Sequence, residues 1–589
     1  MLHALREYGA KLGGEPGFKS REVRWCIKLS MDGALLNIIP LGDGRSGAML
    51  ERCADMHAMN AGGKAHFLVE SAQTIALHFK ADEEQKKIDS GTERHRFFVR
   101  MLTNAAEAIT PLSTASNLLA NEQTREQLRL MMVEKRVRPG DWVTWQLGKH
   151  DPRESEDVQQ WWREWRRRDL GGDTSYTADA SAVNMVCLLT GDLVQPLLIQ
   201  PKISGLSGVG GLAMGDVMVG FDKSAFQSFG LEKSSNAAMG AEAAQQYVDA
   251  LNYLIKQQQE ATRKNPSRRT NAMMVYWFKE SVQPEEDPFA MLYGMATEEQ
   301  QTASALAQVR KLLDAIRSGE RAHLGHIHYY AMTISGASGR VMVRDWMEGQ
   351  FTELVTNVES WFSDLAIVHR EGGGFAPDPK FLAVGGALVR DLKDLSPSTT
   401  SVLWRAAIAR LPIPSPVMAQ ALDRFRSALV KDEIFSHTRM GLIKAYFVRK
   451  PSGGGQHMKS HLNVDHPDPA YHCGRLLAVL AKLQQSALGD VGAGVVQRFY
   501  PSASTAPGLT FGRLVGNSRN HLNKLEGGLS YWYEQQIAEV MGKLGDNIPR
   551  TLDLEEQGLF ALGYYQQLAD LRTSKKDGKD NSNQNGAQP

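Results

Sequence analysis

The chain has few cysteines and no long apolar run, and these absences exclude several classes of protein. Its four cysteines, Cys26, Cys53, Cys187 and Cys473, lie far apart and form no C-x-x-C pair. That spacing indicates neither a zinc ribbon nor a disulfide framework, and it predicts a reducing, cytoplasmic setting. No run of 18 apolar residues occurs among the 589 residues, so the sequence predicts no contact with a membrane.

A strong net charge and the common catalytic motifs are also missing. The formal net charge of +1 at pH 7 argues against a protein that binds nucleic acid over its whole surface. There is no H-E-x-x-H, G-x-S-x-G, Walker lysine loop or paired H-x-E and P-C-x-x-C motif. The sequence therefore predicts a binding or scaffolding protein that is not an enzyme and holds no cofactor. A catalytic site assembled from distant residues escapes such a search, so a nucleic-acid-processing enzyme (a nuclease) is the alternative.

Two groups of histidines were candidates for a metal site, and neither predicts one. His326 and His328 have no acid or thiol nearby at ligand spacing. His461 and His466 flank Asp465 after a glycine-rich loop, which leaves a weak metal site open as an alternative.

A glycine-dense stretch at residues 200–237 is the most informative feature that the sequence does contain. Its glycines tolerate positive φ and let main-chain N–H groups approach a ligand closely. Residues 208–213 fit the form G-x-G-x-x-G/A, but a dinucleotide site needs a helix to open on the glycines, and residues 216–221 read as a strand. A phosphate or base edge is the expected ligand, and a ligand-free connection between strands is the alternative.

The hydrophobic pattern predicts an α+β protein: a mixed N-terminal region with short strands, followed by an all-α C-terminal helical bundle. Residues 241–264 and 351–365 have the spacing of amphipathic helices, and residues 322–344 predict a hairpin with a four-residue turn at 336–339. We predict domains at 1–235, 236–385 and 386–589. The polar end, 574–589, is predicted to be disordered.

Two basic segments offer further surfaces for nucleic acid. In the hairpin, Arg340 and Arg344 share one strand face with Met342. Residues 161–168 hold three tryptophans among four arginines, which suits stacking on bases, but Trp161 and Trp165 also fit the buried face of a helix. For the hairpin, the alternative is that the arginines lie on a solvated face. For residues 161–168, the alternative is that the tryptophans anchor the hydrophobic core.

Several motifs, in order along the chain, resemble one family: the large subunit of the type I-C CRISPR surveillance complex, Cascade. They are GFKSREVRWCIKLSMDG and AHFLVESAQTIAL near the start, then QPKISGLSG, FDKSAFQSFGLEKSSNA, VYWFKE and HYYAMTISGASGRVMVRDW, and finally HCGRLLAVLAKLQQSALG and RFYPSASTAPGLTFGRLV.

The resemblance implies a non-catalytic subunit of an RNA-guided complex. Such a subunit recognises a short protospacer-adjacent motif in double-stranded target DNA, assists duplex opening, stabilises the R-loop, binds the displaced strand and recruits a helicase-nuclease. Its implied partners are the guide RNA ribonucleoprotein, the backbone and guide-capping subunits, and a small subunit. That small subunit is translated internally from the C-terminal part, here about 458–575, with Met458 or Met440 as the candidate start. A purely structural scaffold that leaves DNA to its neighbours is a further alternative.

The predicted contact residues follow from donors, charge and the family position. Residues 458–525 carry seven Lys or Arg against three Asp, which suits a displaced strand. For motif sensing we predict Lys202, Ser204, Ser207, Gly208, Gly210, Gly211, Lys223, Ser235 and Asn236. For the displaced strand or backbone we predict Arg340, Arg344, Arg475, Lys482, Arg498, Arg513, Arg519 and Lys524, with Tyr500 and Phe511 as possible stacking partners.

Overall fold

The structure is a computed structural model that describes residues 1–12, 15, 17–43, 46–56, 63–166, 184–263, 270–294, 304–430, 436–451, 453–489 and 494–584. It confirms the α+β class, since helices dominate and short sheets accompany them. The chain forms two compact units. The first comprises Met1–Gly205 and Ala213–Tyr253, and the second comprises Leu206–Leu212 and Leu254–Pro589.

The first unit mixes short strands with helices, as the N-terminal pattern predicts. Its helices are α1 (Leu2–Lys11), α2 (Ala72–Ala76), α3 (Gln85–Ala108), α4 (Ser113–Ala120), α5 (Glu122–Glu134), α6 (Glu156–Trp165) and the start of α7 (Ala241–Arg263). Its strands are β1 (Phe18–Val23), β2 (Trp25–Leu29), β3 (Leu35–Pro40), β4 (Ala48–Ala54), β5 (Glu70–Ser71), β6 (Trp142–Leu147), β7 (Met185–Val186) and β8 (Leu193–Val194).

A four-stranded sheet in the order β3-β2-β6-β5 organises this unit. β2 pairs in parallel with β6 and antiparallel with β3, so β2 is flanked on both sides and its apolar residues are buried. Ile27 of β2, Trp145 of β6 and Phe98 of α3 lie in one hydrophobic cluster. The β1–β4 and β7–β8 pairs form separate two-stranded sheets.

The tryptophans of α6 belong to this core. Trp162 and Trp165 are buried with their rings stacked 5.3 Å apart, and Phe67 stacks on Trp162. Arg163 pairs with Glu15. The core-anchor interpretation is therefore confirmed for Trp165, and Trp161 is half-buried against the same cluster. Arg167 and Arg168 lie outside the described residues.

The second unit joins a three-stranded sheet to a large set of helices. Its strands are β9 (Met273–Phe278), β10 (His328–Ala337) and β11 (Arg340–Gln350). Its helices are α8 (Pro288–Tyr293), α9 (Ala305–Arg317), α10 (Phe351–Leu365), α11 (Phe381–Gly386), α12 (Pro397–Ala409), α13 (Ser415–Val430), α14 (His437–Val448), α15 (Pro469–Leu488), α16 (Val495–Ala503), α17 (Pro507–Leu522), α18 (Gly527–Leu544) and α19 (Leu554–Gln584).

The hairpin of β10 and β11 has a shorter turn than the sequence pattern predicts. Ala337 pairs with Arg340, so the loop is Ser338-Gly339 and the four-residue turn was wrong. Both loop residues have positive φ, +49° and +88°, which is the type I′ geometry that matches the strand twist. Because Ser is uncommon at the first of these positions, the dipeptide gave a weak signal.

Periodicity located the helices well. The predicted helix at 351–365 is α10, which begins at a capping box in which the Glu353 carboxylate accepts the Gln350 N–H. The predicted helix at 241–264 is α7 through Arg263.

The C-terminal helices pack at backbone contact. A Cβ on Gly474 of α15 would lie 1.9 Å from the carbonyl oxygen of Phe560 on α19, and one on Gly563 would lie 2.0 Å from that of Tyr471. Two glycines thus let α15 and α19 cross more closely than any side chain allows.

One hydrophobic cluster of the second unit extends from Met274 to Leu571. The predicted domain boundaries at residues 235 and 385 separate regions with different proposed roles, and they stay a prediction. The predicted disorder of residues 574–589 also stays a prediction; α19 extends to Gln584, and residues 585–589 lie outside the described chain.

Candidate nucleic-acid interface

The glycine-dense stretch 200–237 divides between the two units, with Leu206–Leu212 in the second and the rest in the first. Gly205, Gly210 and Gly215 adopt φ near +90° and therefore need glycine. Gly208 and Gly211 have no positive φ. Each part is described in its own unit below.

In the second unit, two of the predicted contact glycines face protein backbone. A Cβ on Gly336 of β10 would lie 2.1 Å from the nitrogen of Gly211 and 2.6 Å from the carbonyl carbon of Gly210. The absence of side chains here lets the 206–212 segment lie against the hairpin. We therefore assign Gly210 and Gly211 to packing and leave them out of the proposed DNA surface.

Ser207 and Gly208 remain available in this segment. Both are exposed, in a single 3-10 turn at Ser207–Val209, and a Cβ on Gly208 would have no heavy atom within 4 Å. One such turn is too short to be the helix that a dinucleotide fingerprint requires.

In the first unit, the expected strand at 216–221 is wrong. Asp216 forms an isolated bridge with Ile203, in which each residue's N–H donates to the other's carbonyl oxygen at 2.8 Å. Gly215 permits this crossing, since a Cβ there would lie 3.1 Å from the Ile203 oxygen. This bridge joins two residues of the same loop.

Lys202, Ser204 and Lys223 are the accessible predicted residues of the first unit. Within the described chain, neither lysine makes a side-chain hydrogen bond or ion pair, and the Ser204 hydroxyl has no partner either; its backbone N–H donates to Asn252. Exposed ammonium groups that form no ion pair in the described chain are suited to phosphate.

Ser235 and Asn236, by contrast, serve the loop itself. Ser235 is buried. The Asn236 amide accepts from the Ser228 N–H at 2.8 Å and donates to the carbonyl oxygens of Leu231 and Lys233 at 2.8 and 2.9 Å. Because these bonds use both amide hydrogens, we assign Asn236 to loop rigidity instead of base reading.

The two predicted arginines of the hairpin are exposed. A bulge shifts the register of β11 between the pairs Thr333–Asp345 and Ile334–Val343. The Arg344 Nε donates to the Ser335 hydroxyl at 2.8 Å, so this guanidinium lies over the strand face that Met342 also occupies.

Arg475, unlike the hairpin arginines, is fully buried, with 0% of its side chain exposed. Its Nη2 donates to both Glu539 carboxylate oxygens at 2.9 and 3.1 Å, and its Nε donates to Gln567 at 2.7 Å. All of these bonds join α15 to α18 and α19. The guanidinium is thus inaccessible to a DNA strand in this structure, and we leave Arg475 out of the proposed surface.

The remaining C-terminal cations have the accessibility that the prediction requires. Arg498 on α16, Arg513 and Arg519 on α17, and Lys524 just after it are exposed and make no hydrogen bond or ion pair through their side chains in the described chain. Lys482 is half-buried and donates to Gln485 at 2.7 Å.

The two aromatic candidates near these cations are core residues. Tyr500 and Phe511 are each 1% exposed and belong to the hydrophobic cluster of the second unit. Base stacking by either ring would require that cluster to open.

No group of three metal-ligating side chains occurs in the described part of the chain. His466 is buried and stacks on Tyr471, with 4.4 Å between the ring centroids. Desolvation lowers its pKa to about 4, and His472 and His457 add to the effect. This ring is therefore neutral at physiological pH, and its Nδ1 accepts the Asp468 N–H at 3.1 Å.

Phe229 lies within the predicted motif-sensing stretch but was not among the residues predicted from the sequence. This residue is 99% exposed, and its φ is +54°. The signal in the sequence was an aromatic residue directly before a glycine in a polar segment, a pattern too common to single it out.

A model of the family described as CRISPR-associated protein (Cas_Csd1) matches residues 4–572. The chain belongs to this family. The match confirms the resemblance at the level of a CRISPR-associated component of Cascade. No curated protein matches the Cas_Csd1 chain. Among its described helices, none is both long and apolar enough to cross a bilayer.

Proposed function

We propose that this Cas_Csd1 protein is the non-catalytic large subunit of a type I-C Cascade complex in the cytoplasm. It recognises a protospacer-adjacent motif in double-stranded DNA, assists duplex opening, stabilises the R-loop and recruits a helicase-nuclease. Its partners are the guide RNA ribonucleoprotein, the backbone and guide-capping subunits, and a small subunit. The observation that carries the proposal is the family match over residues 4–572.

The displaced strand is proposed to follow α16 and α17. Arg498, Arg513 and Arg519 project from these helices and Lys524 follows them; all four are exposed and have no side-chain hydrogen-bond or ion-pair partner among the described residues. Each phosphate that such a cation neutralises on a single strand steepens the dependence of log K on log salt by about 0.7. Replacing Arg513 and Arg519 by glutamine should therefore flatten the salt dependence of single-strand binding by roughly 1.4 units.

Arg310 provides the matched control for that experiment. It is an exposed helical arginine whose Nε donates to Glu359 at 2.9 Å, so its charge is already paired. Arg310→Gln should leave the salt dependence unchanged. An equal effect from both sets of variants would contradict the assignment of α16 and α17.

We propose Lys202 and Lys223 of the first unit for motif sensing. Separately, the second unit offers Ser207 and Gly208 as exposed contacts for phosphate. Lysine and backbone N–H donors suit the shared acceptors of the minor groove as well as phosphates. The test compares binding of the assembled complex to duplexes with different motifs, using Lys202→Ala/Lys223→Ala and, as control, the ion-paired Lys87→Ala. An unchanged motif preference in the double variant would overturn this assignment.

The lack of catalysis is tested directly. The purified chain is incubated with labelled DNA and RNA plus magnesium or manganese, and no cleavage is expected. Cleavage that a point substitution abolishes would establish the nuclease alternative.

An internal start at Met458 fits the helices better than one at Met440. Met440 is buried in the first turn of α14, so a chain that begins there would lose the start of that helix. Met458 directly follows the 3-10 turn Gly454–His457 and precedes α15, so a chain that begins there keeps α15 through α19 complete.

A further inference from the structure

Phe229 is held in a strained conformation with its ring in solvent. The Leu231 N–H donates to the Ser228 carbonyl oxygen at 2.9 Å and closes a tight turn. The two central residues, Phe229 and Gly230, have φ of +54° and +69°, which is type I′ geometry. Glycine or asparagine normally occupies such positions, and a bulky side chain there is an outlier.

The turn is fixed from within the loop. Asn236 holds it through three hydrogen bonds, one from the Ser228 N–H and two to the carbonyl oxygens of Leu231 and Lys233. The ring therefore projects from a defined backbone. Phe229 is 99% exposed and gains no burial that would offset the backbone strain.

We propose that Phe229 stacks on an unpaired base where the DNA duplex opens, an inference that rests on the proposed function. Aromatic rings in single-strand sites stack on bases of any sequence, because every base has a π-face. Apolar side chains also insert between base steps in proteins that deform a duplex. A rigid turn that presents a single ring to solvent has the geometry that both contacts need.

The charges beside the turn indicate stacking without phosphate neutralisation. Residues 222–233 contain Asp222 and Glu232 as well as Lys223 and Lys233, and all four are exposed. Because the two signs balance, the turn itself exerts little net attraction on phosphate. The contribution of Phe229 to binding is therefore independent of salt, unlike that of α16 and α17.

The test uses the full chain and a forked DNA duplex with 2-aminopurine at the first unpaired position. We expect Phe229→Ala and Phe229→Leu to bind the fork about 5- to 150-fold more weakly, by the same factor at low and high salt. Both variants should lose the quenching of 2-aminopurine that stacking causes, whereas Phe229→Tyr should keep binding and quenching. Since Phe229 is 99% exposed, all three variants should unfold at temperatures close to that of the wild type.

The outcomes separate this inference from the function on which it rests. Failure of the wild-type chain to bind the fork would contradict both. Binding that Phe229→Ala leaves unchanged would contradict the inference alone. Full binding by Phe229→Leu would also overturn it, because it would identify an apolar anchor, as for a protein partner, instead of a stacking ring.

Discussion

The backbone of Gly211 lies against Gly336 so closely that a Cβ on Gly336 would be 2.1 Å from the Gly211 nitrogen. This contact gives Gly210 and Gly211 a structural purpose. The glycine density, which predicts a ligand in the sequence, here reflects the approach of one backbone to another.

Gly336→Ala should destabilise the protein by roughly 2–3 kcal/mol, because the added methyl group must displace the 206–212 segment. Gly208→Ala is the matched control, since a Cβ there has open space around it. Its effect on stability should stay within about 0.5 kcal/mol. Denaturant unfolding of both variants checks this, and equal losses would contradict the assigned contact.

The crossing of α15 and α19 leads to a second pair of glycine substitutions. Gly474→Ala should cost more than about 3 kcal/mol, because its methyl group would meet the Phe560 carbonyl oxygen. Gly512 on α17 is also within a helix but has no heavy atom within 4 Å of its Cβ position. Gly512→Ala should therefore stabilise the helix by up to about 1 kcal/mol. A stable Gly474→Ala protein would show that the helices cross further apart.

Substitution of Arg475 and substitution of Glu539 should destabilise the protein to different extents. Glu539→Ala leaves a buried guanidinium without its bidentate anion and should cost about 2–4 kcal/mol. Arg475→Met leaves a carboxylate that is 39% exposed and can be hydrated, so its loss should be smaller. Chemical denaturation of both variants measures the difference. A larger loss in Arg475→Met would contradict the burial described here.

Lowering the pH should reduce the free energy of unfolding, because protonation of His466 is less favourable in the folded protein than in the unfolded one. Its pKa is about 4 in the folded protein and lies below the unfolded value of 6.5, so the unfolded state binds the proton more tightly. This contribution is complete above about pH 6.5 and falls by up to about 3 kcal/mol as the pH drops to 4. His466→Gln should remove that part of the pH dependence. Substitution of the exposed His3 should not, and equal slopes in wild type and His466→Gln would refute the assignment.

The sequence predicted the elements of this fold where periodicity is strong. The apolar spacing of 351–365 gave α10, because one buried face of a helix repeats every three to four residues. The hairpin turn at 336–339 was predicted too long, since the positive φ at Ser338 that permits a two-residue loop depends on the strands that it joins.

The candidate site was less predictable because accessibility depends on tertiary packing. A local count of charges treats Arg475 and Arg513 alike, yet one is enclosed by three helices and the other faces solvent. Likewise, the local amino-acid sequence does not distinguish the buried Phe511 from the exposed Phe229. In both pairs, contacts from distant parts of the chain determine which residue is buried and which is exposed.

Crosslinking of target DNA to this chain in the assembled complex tests the central claim most directly. Photoactivatable DNA is bound as an opened duplex, and the crosslinked peptides are identified by mass spectrometry. The proposed function predicts crosslinks to residues 202–229 from DNA near the motif and to residues 498–524 from the displaced strand. Crosslinks confined to the neighbouring subunits would contradict it and would establish a purely structural scaffold.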